Sequence, residues 1–341
     1  MNVKHDNWFR QVFQLRGSVI PNVLPRAALC GMFAGVVYIC SKYGLTLNTP
    51  FLGSFIANIV LGLLLVFRTN TAYERFWEGR KAWGTLVNTT RNLARQIWVS
   101  VGEIEPSDRK KKIAALRLLV AFAVSMKLHL RHRSLNAELA ALVMPSQFKK
   151  LQQMHHPSLE IAFWIGDYMQ KQYERGCLAM HQLVSMHDLL AVMVDVLGSC
   201  ERIQKTPIPI AYAIHLRQLL LIYCLSLPFQ LVSEIGWLTI PTTALASFTL
   251  MGIEEIGVEI EDPFGCDPND LPLNAICSTM LRNIEDLISL SSCRSLSTID
   301  ASIDYLITLE EPIEQNPYDE SGNVSSNGDR PVDNLPSPSQ P

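Results

Sequence analysis

Residues 58–67, NIVLGLLLVF, are hydrocarbon apart from Asn58 and Gly62, and at Arg68 the chain turns polar and aromatic with no proline to end a helix. This apolar run begins at Phe51, and three other stretches match it: roughly Ala27 to Leu45, IPIAYAIHLRQLLLIYCLSLPFQLV (208–232) and WLTIPTTALASFTLMGI (237–253). A helix crosses a bilayer with about 20 apolar residues, range ~17–25. All four qualify as spans, and the short linkers within each pair predict two antiparallel helical hairpins. Lipid offers backbone groups no partner, so the second span must be helical. With no stop signal after Phe67, that helix is predicted to continue past the membrane surface.

The region 68–207 reads as helices. In YERFWEGRKAWGTLV, Tyr73, Phe76, Trp77, Trp83 and Val87 recur at mostly three- and four-residue steps, which predicts an apolar stripe on a water-soluble helix. KKIAALRLLVAFAVSMKLHLRH predicts another helix, most buried over 120–126, and DLLAVMVDVLGSCERI a third that ends before TPIPI. No run alternates as a strand does. Pro207 and Pro209 suit a helix entrance at the membrane surface. Beyond residue 311 the chain is rich in Pro, Ser, Asn and Gly and poor in apolar residues, so burial cannot offset its ordering entropy and it is expected to be disordered unless a partner holds it.

Charge sets an orientation. Four Lys/Arg precede the first span and twenty lie between Arg68 and Lys205, whereas the two linkers hold only Lys42. The positive-inside rule then places both termini and the middle region in the cytosol. Of 341 residues 48% are apolar and 18% charged, with mean hydropathy +0.15; a soluble domain carries about 25% charged residues. A net charge of −3 without a long basic run argues against nucleic-acid binding. DRKKK, 108–112, reads as a solvated helix surface. The N-terminus is charged and amphipathic and lacks a signal-peptide pattern. Eight cysteines, at 30, 40, 177, 200, 224, 266, 277 and 293, form no CxxC pair and read as small buried side chains in a reducing setting.

Ile59, Leu63 and Phe67 stand at i, i+4 and i+8, one face rising ~12 Å at ~1.5 Å per residue. Taken alone, such a face meets lipid or a neighbouring helix; around a symmetry axis it becomes stacked rings. After the fourth span, GIEEIGVEIEDPFGCDPNDLPLNAIC gathers Glu254, Glu255, Glu259, Glu261, Asp262, Asp267 and Asp270. Carboxylates around a turn at Gly265 can wrap a hard cation. The spacing is not an EF-hand, and pairing of these acids with Arg/Lys is the plainer reading. Arg217, inside the third span, needs a partner or water, and Glu254 or Glu255 could serve. His129 and His132, and His155 and His156, lack the company of metal patterns. His187 and Asp188, adjacent on a helix, imply no nucleophile. GxSxG, P-loop and GxGxxG are absent, so no enzyme is indicated.

LLLVFRTNTAYERFWEGRKAWG, CERIQKTPIPIAYAIHLRQLLLIYCLSLPF and EDPFGCDPNDLPLNAIC, in that order, resemble the bestrophin family of ion channels, its bacterial branch above all, over roughly residues 5 to 300. The resemblance implies an all-α membrane protein of the cell (inner) membrane: four transmembrane helices, a large cytosolic helical bundle, and a homopentamer in which four further copies complete a central pore for monovalent ions. Its implied divisions are 1–24, a cytosolic amphipathic segment; 25–67, the first hairpin; 68–207, the cytosolic helices; 208–256, the second hairpin; 257–310, the acidic turn and C-terminal helix; and 311–341, the tail. It assigns the hydrophobic neck to Ile59, Leu63 and Phe67, and a cytosolic constriction to Val184, with His181 one turn earlier as the alternative. It requires no cofactor. The calcium clasp of eukaryotic members would map to Asp262, Asp267 and Asp270, with Glu259 just before; Cys266, Pro268 and Asn269 depart from their acidic run, and the short N-terminus leaves one backbone ligand without a counterpart. The family's broad character tilts the expectation to chloride over a monovalent cation, but only slightly, because this neck has one aromatic rung where anion-selective members have several. A non-conducting anchor with an interaction bundle is the rival of another class.

Overall fold

In the computed structural model, residues 14, 17–44 and 55–290 are described; residues 1–13, 15 and 16 of the amphipathic N-terminal segment, the 45–54 linker and everything from 291, the tail and Cys293 included, lie outside them. Among the described residues the chain is helical, with no strand: α1 Ile20–Lys42, α2 Phe55–Ser100, α3 Asp108–Leu130, α4 Ala137–Ala140, α5 Pro145–Leu151, α6 Pro157–Glu174, α7 Met180–Lys205, α8 Ile210–Ile235, a 3₁₀ turn Gly236–Leu238, α9 Thr239–Glu261 and α10 Leu273–Ser289.

The predicted spans correspond to α1, the start of α2, α8 and α9, with shifted ends. The first helix begins at Ile20, seven residues ahead of Ala27, because Pro21 sits in its first turn, where a missing N–H costs nothing. α9 runs on to Glu261, where the sequence reading stopped at 253, since the acids that follow find cationic partners along that helix. α2 is one helix of 46 residues from the apolar stretch to Ser100, as predicted.

The helices pack in two styles. α1, α8, α9 and the start of α2 bury small residues: Ala27, Cys30 and Ala34 of α1, Cys224 of α8, and Thr239, Thr243 and Ser247 of α9. A Cβ on Gly31 would stand 3.1 Å from that of Ala244, so α1 and α9 meet nearly backbone to backbone. Many of their large side chains point away: Leu29, Met32, Val36, Ile39, Leu221, Ile222 and Leu245 are exposed, while Leu61, Leu65, Leu216 and Leu220 form a small buried cluster. Close approach through small residues with bulky ones outward is the packing of helices in lipid, where burying Leu against protein gains little over burying it in acyl chains. The other style, formed by α2 beyond Gly79, α3, α6, α7 and α10, is that of water: Trp83, Leu86, Leu93, Ile97, Phe122, Ile161, Met186 and Met280 are fully enclosed.

By length and composition α3 and α7 could also cross a membrane. Most of the α3 window is consumed by this second core, including all of 120–126. Two sequence readings are corrected in the same region. DRKKK is not a solvated surface throughout, because Asp108 and Lys112 are buried. Arg175 donates to Asp108 Oδ1 at 2.9 Å, and Lys112 Nζ donates to Glu103 at 2.9 Å and to the Trp98 carbonyl at 3.2 Å. The predicted stripe on α2 divides: Trp83 is enclosed and Phe76 and Val87 half-buried, while Tyr73 and Trp77 are exposed. At 100° per residue Tyr73 and Trp77 fall about 80° and 120° round the helix from Trp83, beyond the buried sector.

Candidate functional site

One face of α2 faces the core while the opposite face is bare along its length. Leu61, Leu65, Arg68, Ala72, Gly79, Trp83 and Leu86 are buried. Ile59, Leu63 and Phe67 are 46%, 48% and 58% exposed. Asn70, Glu74, Lys81, Asn88 and Asn92 continue the same exposed side, since steps of three, four and seven residues return to nearly the same angle. The face is therefore hydrocarbon up to Phe67 and mainly polar from Asn70 onward, with Trp77 as an exposed aromatic among the polar positions. Val60 and Val66 beside the stripe are exposed too, so the apolar surface is wider than three residues.

Val184 and His181 lie exposed on the first two turns of α7, which runs alongside α2. The pairing is antiparallel, because Gln96 Nε2 donates to Ser185 at 3.3 Å near one end and Arg75 Nη2 to the Ile203 carbonyl at 2.8 Å near the other. Gln96 lies 29 residues beyond Phe67, so Val184 and His181 stand ~43 Å along α2 from the last apolar rung.

Where the apolar helices end, ion pairs tie them together. Glu254 takes Arg217 of α8 at 2.8 Å, Glu255 takes Arg26 of α1 at 2.7 Å, and Glu261 takes Arg68 of α2 at 2.6 Å. The pairing of these acids with Arg, and of Arg217 with Glu254, agrees with the sequence reading. Glu261 Oε1 also accepts from the Ile208 amide at 2.9 Å. Arg75 donates to the Thr206, Ile203 and Glu261 carbonyls, satisfying the C-terminus of α7 with a cation.

The acidic turn follows α9. Pro263 and Phe264 are buried against Gly79, where a Cβ would stand 3.1 Å from each ring, so a side chain there would push the turn away from α2 by a few tenths of an ångström. Asp262 Oδ1 accepts from the Phe264 amide at 3.2 Å, and Asp270 Oδ2 from the Asp267 amide at 2.6 Å; Asp267 itself is exposed. Burial pushes the Asp270 carboxyl up to about 6, with Asp267 and Asp262 adding to the rise. Glu259 accepts from Asn269 Nδ2 at 2.7 Å, and that amide also donates to the Gly17 carbonyl at 3.2 Å. The N-terminal segment thus does reach the turn, a contact the sequence reading did not foresee.

A second cluster was missed. His129 at the end of α3, His156 ahead of α6 and Glu201 of α7 converge, with both histidine Nε2 atoms on Glu201 Oε1, at 2.9 and 2.6 Å. His132 and His155 stay outside it; His132 meets Gln204 instead. Burial, helped by His156, holds His129 below the usual histidine range against the pull of Glu201. For Glu201, burial works upward but is outweighed by hydrogen bonds from Lys205 and His156, leaving it low. The seven described cysteines are free thiols; five are buried, Cys40 is half-buried and Cys266 is exposed. Burial pushes Cys200 and Cys277 up to about 12.

Helices that interlock through small residues, turn their bulk outward and carry charge pairs at one end define a membrane protein built of α-helices. The family model described as Bacterial/Fungal Bestrophin protein matches residues 1–286, and the chain belongs to this family. It is 60% identical over 291 residues to a voltage-dependent anion channel-forming protein of Nostoc sp., covering 85% of this chain and 95% of that one. A protein of the same description from Synechocystis sp. is 54% identical over 290 residues, 85% and 94% of the two chains. Among solved structures, a bacterial bestrophin homolog from Klebsiella pneumoniae superimposes with TM-score 0.71 at 30% identity, over 80% of this chain and 99% of that one.

Proposed function

We propose that the chain is one subunit of a pentameric channel that passes monovalent ions passively, with anions preferred. The observation that carries this reading is the bare face of α2, apolar at Ile59, Leu63 and Phe67 and, Trp77 apart, polar from Asn70 to Asn92. A helix lying against lipid alone needs no matching polar face beyond the membrane. A helix lining a conduit needs both: a dry constriction that gates by dewetting and a wetted vestibule beyond it. Five copies turn Ile59, Leu63 and Phe67 into three stacked rings, and Val184 or His181 of α7 into a second constriction at the far end of α2. α1, α8, α9 and the start of α2 form the membrane part. α3, α6, α7, α10 and the rest of α2 form the cytosolic bundle, with both termini on that side.

The preference for anions rests on the naming of relatives that share 60% and 54% of residues. The acids Asp262, Asp267, Asp270 and Glu259 are the place for calcium, if this member uses it. Among the described residues they do not bring three side-chain ligand atoms within 4.8 Å of one another. Backbone carbonyls of the turn and of Gly17 would have to complete a calcium shell.

Flux through liposomes containing the purified protein, with reversal potentials in asymmetric salt, tests the proposal. Wild-type protein conducts and its reversal potential moves toward that of the anion; Leu63→Ala, which widens one ring, raises flux or changes selectivity. Unaltered flux and selectivity in Leu63→Ala would remove the neck assignment. Absence of any flux from assembled protein would favour the anchor reading.

A further inference from the structure

Two helices and the residue ahead of a third contribute one side chain each to a cluster that neither the pore nor the acidic turn uses. His129 closes α3, His156 precedes α6, and Glu201 lies near the end of α7, one turn before Lys205. The imidazole rings stand 4.7 Å apart between centroids, tilted by 39°, and the three candidate ligand atoms lie within 4.8 Å of one another. Among the described residues no other three His, Cys, Asp or Glu side chains meet this way. The three side chains are 29%, 30% and 17% exposed, sheltered yet open to solvent on one side.

We infer that His129, His156 and Glu201 form a binding site for a divalent transition-metal ion of the zinc class, independent of the pore. Two imidazoles and a carboxylate are a zinc-type ligand set, with bonds of about 2.0–2.2 Å. Tetrahedral bonds of that length separate ligand atoms by roughly 3.3 Å, so the two imidazoles need to draw back from Glu201 Oε1 by only about half an ångström. In the metal-free chain both Nε2 atoms converge on that one oxygen, the direction in which they would present lone pairs to an ion. In the metal-free chain Glu201 Oε1 accepts the Nε2 proton of His156, which has to leave that nitrogen when an ion binds there; the enclosed Nδ1 has no hydrogen-bond partner. The fourth position falls to water or to Glu201 Oε2. That oxygen now accepts from Lys205 at 3.0 Å, and the Lys205 side chain, 68% exposed, is free to swing away. A bound ion would fasten α3, the start of α6 and α7 together next to Ile203 and Thr206, the carbonyls that Arg75 of α2 holds.

The test uses full-length, tag-free protein in detergent, stripped with a chelator and titrated with Zn²⁺ by calorimetry and with Co²⁺ by visible absorption. Expected are one ion per chain, a tetrahedral cobalt band that zinc bleaches, and at least a tenfold loss of affinity in His129→Gln, His156→Gln and Glu201→Gln. Asp262→Asn with Asp270→Asn leaves stoichiometry and affinity unchanged. Lys205→Ala, on the surface and harmless to folding, tightens binding by freeing Oε2. Absence of zinc binding in the stripped wild-type protein, or equal affinity in the three site variants, would overturn the assignment; so would binding that disappears only with the two aspartates. If a site variant fails to fold, an unchanged or weakened affinity in Lys205→Ala overturns it alone.

Discussion

Arg68 ends the apolar stretch of α2, and its side chain is 3% exposed, with Nη2 2.6 Å from Glu261 Oε2. Glu261, 19% exposed, has one further donor, the Ile208 amide at 2.9 Å. Arg68→Met keeps the apolar stem and deletes the charge, leaving a sheltered carboxylate with that amide alone. A pair of unit charges at 4 Å is worth roughly 4 kcal/mol at an effective dielectric constant near 20. Removing one partner of a buried pair costs ~3–5 kcal/mol. Because Arg68 Nη1 has no partner to lose, the low end applies, about 3 kcal/mol. For a chain of 341 residues that lowers the unfolding midpoint by roughly 4 °C. Glu261→Gln strands the guanidinium instead and falls in the same range. The double variant sets Met against a neutral amide, so it should be more stable than the sum of the single losses by at least ~1 kcal/mol. Thermal unfolding in detergent, followed by circular dichroism at one fixed scan rate, reads all four proteins. If the losses add, or if Arg68→Met stays within about 2 °C of wild type, the pair is not the fastening that the geometry implies.

Gly31→Leu drives a side chain into Ala244 and separates α1 from α9; overpacking of this kind costs ~1–3 kcal/mol, read as a lower unfolding midpoint, whereas Leu29→Ala on the bare face of the same helix should move it little. Asp270, with its carboxyl near 6 in the folded chain against an ordinary 3.8, keeps a proton that the unfolded chain has lost between those values. Its contribution to stability is therefore full below pH ~4 and lost as pH rises through ~6. Asp270→Asn, which still accepts from the Asp267 amide, should abolish that part of the pH dependence, and an unchanged profile would refute it.

Much of the fold was legible because its signals are local. Spans are written as runs of apolar residues, and the continuity of α2 follows from the absence of proline after Phe67, with only Gly79 and Gly84 as possible breakers. The failures came where a rule used one dimension for a two-dimensional question. Tyr73, Trp77 and Trp83 obey a spacing rule step by step yet diverge in angle. In DRKKK, Lys110 and Lys111 are solvated as composition suggests, but Asp108 and Lys112 find Arg175 and Glu103 across distances no charge count registers. The His129–His156–Glu201 cluster was hidden for the same reason. The sequence neighbours His132 and His155 are not the partners, and only the packing of α3, α6 and α7 brings His129, His156 and Glu201 together.

α2 shows why the lipid-like and water-like halves have to be one helix. Its apolar half has little core of its own: Leu61 and Leu65 pack with Leu216 and Leu220 and with few others. Its aqueous half is anchored by Trp83, Leu86, Leu93 and Ile97. An uninterrupted backbone transmits the position of the second half to Ile59, Leu63 and Phe67, which stay about half exposed. A break between Phe67 and Trp83 would leave these three residues held only by small-residue contacts and lipid, with several orientations of similar energy. Gly79 is the one place where such a break could begin, and there the buried ring of Phe264 and the Pro263 turn brace it. The acidic turn therefore has a mechanical role whether or not a cation binds it: by packing on Gly79 it holds the polar half of α2 straight beneath the apolar half.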